Sequence, residues 1–257
     1  MGTTEIIISL IGGFCAGILN ALAGFGSIIT LAIYMDVIGL PGHIANATNR
    51  VNVLASSSVS SLTFYKNGKL DLKGGKWILV AVFVGAMVGI LMATQLDADG
   101  FKKAFKYLLP PIFVILLLNP KRFIHPDLSA PKTSKFVTMP LYFIMGIYAG
   151  FIQAGFGVIF LMVAVMMSRY DIIFGNGLKI AIVAIYTAVA VLIFHLNGMI
   201  VWKAGLALAA GQAVGGYVAS RNMTLFEGAA KWSYYFLLLI VFAVMVKNFE
   251  VWTWFGL

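Results

Sequence analysis

Long apolar runs separated by short polar gaps dominate the chain, and they predict membrane helices. A membrane-spanning helix needs about 20 apolar residues. On that scale the first half of the chain contains apolar segments at residues 5–24, 28–39, 44–65, 76–96 and 105–118. The second half contains a corresponding series at residues 139–155, 158–167, 172–194, 201–219 and 232–246. We therefore predict an all-α polytopic membrane protein with about eight to ten membrane segments.

The two series are related residue by residue. Asn46, Phe64, Asn67 and Gly68 are each followed 130 residues later by the same residue type. Between the series lies a polar stretch rich in proline and basic residues. The pattern predicts two homologous membrane repeats, residues 1–119 and 138–257, joined by a basic connecting loop at residues 120–137.

Each half is interrupted at the same place. A Gly-Phe-Gly break, formed by residues 24–26 and again by residues 155–157, separates a long apolar helix from an apolar segment too short to cross comfortably. Inverted-repeat transporters use short broken helices in corresponding positions to build a binding site near the membrane midplane. We favour an inverted second half for this reason. A parallel repeat stays open, as does whether each short helix crosses the membrane or re-enters.

Composition excludes most other classes of protein. The chain is 61% hydrophobic and only 11% charged, with a mean hydropathy of +0.97, so it lacks the polar surface of a soluble enzyme. Its net charge of +9 comes from basic residues scattered in the gaps between apolar runs, which does not indicate nucleic-acid binding. Basic loops mark the cytoplasmic side of a membrane protein. We expect a multi-pass protein of the plasma (inner) membrane with both termini outside.

The glycine breaks suggest a site for anions. The first amides of a helix have no partner within the helix, and the helix dipole places partial positive charge there. Glycine leaves no side chain between such amides and a ligand. In the first copy Ser27 adds a hydroxyl group, whereas Val158 takes that place in the second. The alternative is that the glycines only ease a tight helix junction.

A polar stripe on the third segment of each half supplies further candidate ligands. In the first half the stripe consists of Asn46, Asn49, Arg50, Ser57, Ser60 and Ser61, which fall at helical spacing. A comparable stripe in the second half consists of Asn176, Lys179, Tyr186 and Thr187. A cation within a membrane helix points by default at a cavity or a partner, although it can also extend to the headgroups. With Gln153, the predicted substrate-binding residues are Gly24, Phe25, Gly26, Ser27, Asn46, Asn49, Arg50, Gln153, Gly155, Phe156, Gly157, Asn176 and Lys179.

Other chemistry is not expected from these residues. The acidic residues lie at predicted helix ends or in loops, apart from Asp36, so a proton or sodium relay is not indicated. Cys15 is the only cysteine, and no His or Cys cluster has metal-ligand spacing. No Ser-His-Asp, HExxH or paired-carboxylate arrangement is apparent. We expect no catalytic residues, no metal, no cofactor and no enzyme activity.

The motifs around the breaks resemble those of a known family. Ala16-Gly17 and Ala149-Gly150 each lead into a Gly-Phe-Gly break, and Phe64-Tyr65-Lys66-Asn67-Gly68 precedes another apolar helix. These features are similar to the signature of the sulfite exporter TauE/SafE family, and the resemblance spans residues 6–246. The chain departs from the family pattern at Ser27 and Val158, where a further glycine is expected.

The resemblance implies a polytopic carrier that exports sulfite or small organosulfur or sulfonate anions across the plasma membrane. We expect alternating access, with a small anion and the lipid bilayer as partners. Uptake of another small anion, a channel, and a membrane subunit without transport activity are the alternatives. The sequence leaves the oligomeric state open, and a homo-oligomer is among the arrangements it allows.

Overall fold

The computed structural model describes residues 1–22, 24, 26–117 and 133–222, together with Phe242 and Val246. Within these residues the chain forms nine α-helices and no strand. They are α1 (Thr3–Leu22), α2 (Gly26–Ala32, continued by a π-helical turn at Ile33–Val37), α3 (Gly42–Lys66), α4 (Lys76–Thr94), α5 (Ala98–Leu117), α6 (Lys135–Phe151), α7 (Phe156–Met166), α8 (Ile172–Leu196) and α9 (Trp202–Arg221). Most of the predicted connecting loop, and nearly all of the predicted segment at residues 232–246, lie outside the described residues.

The repeat seen in the sequence extends to local structure. Helices α3 and α8 are both 25 residues long, and their bounds differ by the same 130 positions. Each ends in a Schellman motif, in which the amide of Gly68 donates to Tyr65 and that of Lys69 to Phe64. The same pair of hydrogen bonds closes α8 at Gly198 and Met199. Both glycines have positive φ, +66° and +68°, which an L side chain adopts only with strain.

One predicted boundary is wrong. The apolar run predicts that the fifth segment starts at residue 105, but α5 begins at Ala98. The carboxylate of Asp97 accepts a hydrogen bond of 2.7 Å from the amide of Gly100. This contact satisfies one of the unpaired amides of the first turn, and helix formation therefore extends into the polar residues before the apolar run.

Glycines let helices from different halves pack at backbone distance. On α4, side chains added at Gly85 and Gly89 would meet backbone oxygens of α6. On α9, side chains added at Gly211 and Gly215 would meet backbone oxygens of α1. These are the small-residue packing seams typical of membrane helices. Each half thus packs its first helix, α1 or α6, against the fourth helix of the other half, α9 or α4, so the two repeats are interwound.

Helices α3 and α8, which correspond under the repeat, run in opposite directions. Near the start of α3, the Arg50 guanidinium carbon lies 5.9 Å from the ring centroid of Phe194, at the end of α8. At the other end of α3, Phe64 lies against Gly177, close to the start of α8. Helices α3 and α8 are therefore antiparallel neighbours.

The helices are those of a polytopic membrane protein. By length and composition, α1, α4 and α8 are the helices in the described part that are long and apolar enough to cross a membrane. Shorter apolar helices occupy Gly26–Val37, Lys135–Phe151 and Phe156–Met166. Helix α3 is longer than α1 and carries the predicted polar stripe, whose members Asn46, Asn49 and Arg50 are at most 2% exposed. The low exposure shows that these side chains face other parts of the protein. This is expected, because exposing polar groups to lipid costs free energy.

Candidate functional site

The two glycine breaks touch each other. Gly24 has φ +84° and Gly155 has φ +77°, so both depend on the backbone freedom of glycine. A Cβ atom on Gly24 would collide with the backbone of Gly157. The two interruptions predicted from separate halves are thus brought into direct contact, while Phe25 lies outside the described residues.

A cavity lies beside this contact. Helices α1, α3, α7 and α8 contribute to its walls. The lining residues are Asn20, Ala21, Gly24, Ser56, Ser57, Ser60, Gln153, Phe156, Gly157, Lys179, Ile180 and Val183. Serine hydroxyls and an ammonium group therefore face the same space as the apolar side chains of Phe156, Ile180 and Val183.

Lys179 supplies positive charge to this cavity. Its side chain is 2% exposed, which rules out the alternative that it extends to the headgroups. The ammonium group donates one hydrogen bond of 3.3 Å, to the backbone oxygen of Asn20, although it has three protons to donate. No carboxylate in the described part of the chain forms an ion pair with it. A buried cation without a counter-ion is costly, and a bound anion would lower that cost.

The serines differ in what they offer a ligand. The hydroxyl of Ser57 donates at 2.7 Å to the backbone oxygen of Val53 on its own helix. The oxygen of Ser60 is buried and has no hydrogen-bond partner. A buried polar atom without a partner is unusual in a native protein, and a ligand or water is its usual explanation. Ser60 and Lys179 thus both have hydrogen-bonding capacity left over at the cavity.

Arg50 is also buried, but it does not line the cavity. Its guanidinium donates to the backbone oxygens of Ala149 and Gly150, at 2.9 and 2.8 Å, and to Gln153 Oε1 at 2.8 Å. The two backbone oxygens belong to the C-terminal end of α6, where the helix dipole is negative. Arg50 therefore caps a helix of the opposite half.

Gln153 connects Arg50 to the cavity. Its side-chain oxygen accepts from Arg50, and its nitrogen donates to the hydroxyl of Tyr186 at 3.0 Å. Its backbone has φ +68°, and besides Arg169 it is the only non-glycine residue with positive φ in the part that the structure describes. The hydrogen bonds on both sides hold this strained residue at the cavity wall.

The two predicted asparagines play matching parts in the two halves. Asn46 donates from Nδ2 to the backbone oxygen of Phe151, at the end of α6, over 2.8 Å. Asn176 donates to the oxygen of Ala21, near the end of α1, over 2.7 Å. Each helix that precedes a glycine break is thus capped by an asparagine from the other half.

Asn49 belongs to a separate buried network. Its Oδ1 accepts from Thr30 at 2.5 Å and from Asn52 at 3.0 Å, and Asn52 also donates to Gln212 at 2.5 Å. The hydroxyl of Tyr34 donates to Asn52 over 2.7 Å. None of these side chains lines the cavity, and together they join α2, α3 and α9.

The remaining predicted residues lie at the helix starts. Gly26 begins α2 and packs against the backbone oxygen of Ala16, and Ser27 accepts a hydrogen bond from Thr30 through its backbone oxygen. At α7 the amide of Phe156 donates to Gln153 and that of Val158 donates to Gly155. Two of the first three amides of α7 are therefore already paired. The remaining one belongs to Gly157, which lines the cavity.

Comparison with known proteins agrees with this arrangement. A family model described as "Sulfite exporter TauE/SafE" matches residues 9–247. The chain belongs to the sulfite exporter TauE/SafE family. Membership makes it a membrane transporter, and the resemblance stated from the motifs is confirmed.

Several curated proteins resemble this TauE/SafE family member over most of their length. A "Probable membrane transporter protein" of Haemophilus influenzae is 27% identical over 213 residues, covering 81% of both chains. "Probable membrane transporter protein ORF9" of a Sinorhizobium species is 26% identical over 82% of this chain and 80% of its own. "Probable membrane transporter protein YfcA" of Escherichia coli K12 is 24% identical over 80% of this chain and 76% of its own. No solved structure matches the chain with significance.

The predicted binding residues of this TauE/SafE protein leave out part of the cavity. Asn20, Ser56, Ser57 and Ser60 line it but are not among the predicted site residues. Ser57 and Ser60 belong to the polar stripe that the sequence marks on α3, whereas Ser56 is not one of its predicted members. Ser56 and Ser60 are one helical turn apart and continue the spacing from Asn49 and Asn52, which is a usable signal for Ser56.

Proposed function

We propose that this TauE/SafE protein carries a small oxyanion or organosulfur anion across the plasma membrane, and that the anion binds beside Lys179. The observation that carries the proposal is the buried ammonium group of Lys179, which faces a cavity and lacks a carboxylate partner within the described part of the chain. Ser60 and the amide of Gly157 would complete the coordination of the anion. Arg50, Asn46 and Asn176 would hold the surrounding helix ends in place.

Alternating access of two inverted halves is the mechanism that we infer. Support comes from the antiparallel packing of α3 and α8. A two-fold axis that relates two antiparallel helices is perpendicular to them. If the helices cross the membrane, this axis lies in the membrane plane, as it does in inverted-repeat transporters. The glycine breaks of the two halves meet at the cavity, where a change in their relative position would open it to one side or the other. Both termini would then face outward. We infer export, since an inside-negative potential drives anions out of a cell.

The experiment is transport by the purified chain in proteoliposomes, with sulfite and methanesulfonate as substrates and the membrane potential clamped. Lys179→Gln should raise the half-saturation concentration about 10- to 100-fold, since a hydrogen bond to a charged group contributes roughly 1.5–3 kcal/mol. Lys179→Arg should retain part of the affinity. Lys203→Gln removes the same charge from an exposed position on α9 and should have no effect.

Three results would count against the proposal. Saturable flux with an unchanged half-saturation concentration in Lys179→Gln would exclude this lysine as the anion ligand. Flux that rises linearly with concentration would favour a channel instead of a carrier. Insensitivity of the flux to the imposed potential would remove the inference about export.

A further inference from the structure

Among the residues that the structure describes, the cavity beside Lys179 has a single formal charge. Its other described lining side chains are hydroxyls, amides and apolar groups, and none of them is a carboxylate, a guanidinium or a second ammonium. In a low-dielectric interior the number of fixed charges at a site largely decides which ligand charge is tolerated. A ligand with one negative charge neutralises Lys179, whereas a ligand with two leaves one negative charge buried without a partner.

Arg50 does not supply the missing second charge. Its NH1 and NH2 groups both donate to backbone oxygens at the end of α6, and NH1 also donates to Gln153. The oxygens of that helix end already compensate the guanidinium. Gln153 stands between the guanidinium and the cavity, and its own oxygen is committed to Arg50.

The neutral donors of the cavity add hydrogen bonds but no second charge. Asn20, Ser56 and Ser60 line it, whereas Ser57 donates to its own helix and two of the first three amides of α7 are paired within the chain. Other parts of the wall are the apolar side chains of Phe156, Ile180 and Val183. A doubly charged oxyanion would have to give up water around its oxygens without receiving a second counter-charge.

We propose that the Lys179 cavity selects monoanions over dianions of the same size. The inference rests on the proposed function and specifies the substrate class of the same site. Two roles follow for the buried cations: Lys179 sets the charge that the ligand must have, and Arg50 is a positioning residue that acts through Gln153 and the end of α6.

The test is competition against uptake of labelled methanesulfonate in proteoliposomes at one fixed pH. Perchlorate and sulfate are both tetrahedral oxyanions of similar size, and they differ in carrying one and two negative charges. Perchlorate should inhibit at a concentration at least tenfold lower than sulfate does. Dimethyl sulfone, the uncharged analogue of methanesulfonate, should not compete.

Two variants separate the roles of the cations. Lys179→Gln should raise the perchlorate concentration needed for half-maximal inhibition at least tenfold. Arg50→Gln should lower the amount of folded protein or the maximal rate but leave the ratio of perchlorate to sulfate inhibition within about threefold of the wild type. If Arg50→Gln does not fold, the competition measured on the wild-type protein decides alone.

The inference is overturned if sulfate inhibits as strongly as perchlorate, or if folded Arg50→Gln protein changes the ratio of perchlorate to sulfate inhibition by much more than about threefold. In both cases transport itself remains saturable, so the proposed function stands. Folded protein that shows no saturable uptake of any probe would overturn the proposed function, and this inference with it.

Discussion

The contact between the two glycine breaks can be tested by adding one methyl group. Gly24→Ala places a Cβ atom into the backbone of Gly157, which cannot rotate away as a side chain could. Gly68→Ala is the matched control, because Gly68 also has positive φ (+66°, against +84° at Gly24) but has no atom within 4 Å of the position that a Cβ would occupy. Gly198, with φ +68° and equally open surroundings, gives a second control.

The expected magnitudes follow from these two geometries. Alanine in the left-handed region costs about 1–2 kcal/mol, offset by about 0.4–1 kcal/mol from the less flexible unfolded chain, so Gly68→Ala should lower the free energy of unfolding by about 1 kcal/mol. Gly24→Ala carries the same strain, and its collision with Gly157 should add about 1–3 kcal/mol. The total at Gly24 is then about 2–4 kcal/mol.

Thermal unfolding in detergent, followed by tryptophan fluorescence, measures the difference between the variants. By the scaling for soluble domains of similar size, about 2–4 °C per kcal/mol, Gly68→Ala should lower Tm by about 2–4 °C and Gly24→Ala by about 4–16 °C. Equal shifts in Gly24→Ala and in the two controls would show that the breaks do not touch. A normal Tm with impaired transport in Gly24→Ala would place the effect on the cavity, not on stability.

Three further substitutions test the contacts around the site, with Tm as the common measurement. Arg50→Gln should lower the free energy of unfolding by about 2–5 kcal/mol, since three hydrogen bonds from a charged group are lost and polar contacts in membrane proteins range from about 0.6 to 1.5 kcal/mol each. Arg50→Lys should lower it less. Equal losses of stability in the two variants would contradict the guanidinium geometry. Asp171→Ala removes the side chain that accepts from the amides of Ile173 and Phe174 at the start of α8 and should cost about 1 kcal/mol, whereas Asp171→Asn retains the cap and should cost little. Asn52→Leu should lower the free energy of unfolding more than Asn197→Leu does. Asn52 forms hydrogen bonds with Gln212, Asn49 and Tyr34, whereas Asn197 is exposed and donates only within its own helix end. A larger loss of stability in Asn197→Leu would refute the buried network.

Much of the fold could be predicted because its determinants are local. Apolar run length located the helices, and the offset of 130 residues that maps Gly68 onto Gly198 in the sequence recurs in the bounds and endings of α3 and α8. Helix α5 was misplaced at its start, since the capping carboxylate of Asp97 lies in a polar stretch that hydropathy does not mark.

The roles of the site residues could be predicted only in part. The sequence placed Arg50 and Lys179 in comparable positions within membrane helices and indicated that both should avoid lipid. It did not distinguish them, because a polar stripe on a helix faces several neighbours at once. The neighbours of Arg50 come from residues about 100 positions away in the chain, at the end of α6.

By itself, the sequence thus determined the membrane class, the two repeats, the helices and the positions of their breaks, since each depends on residues close together in the chain. Only the tertiary structure decided that Gly24 meets Gly157, that Arg50 caps a helix while Lys179 faces a cavity, and that Asn49 belongs to a separate network. These outcomes depend on which helix ends are brought together from opposite halves. A buried charge takes its role from the carbonyls or the empty space that packing places beside it.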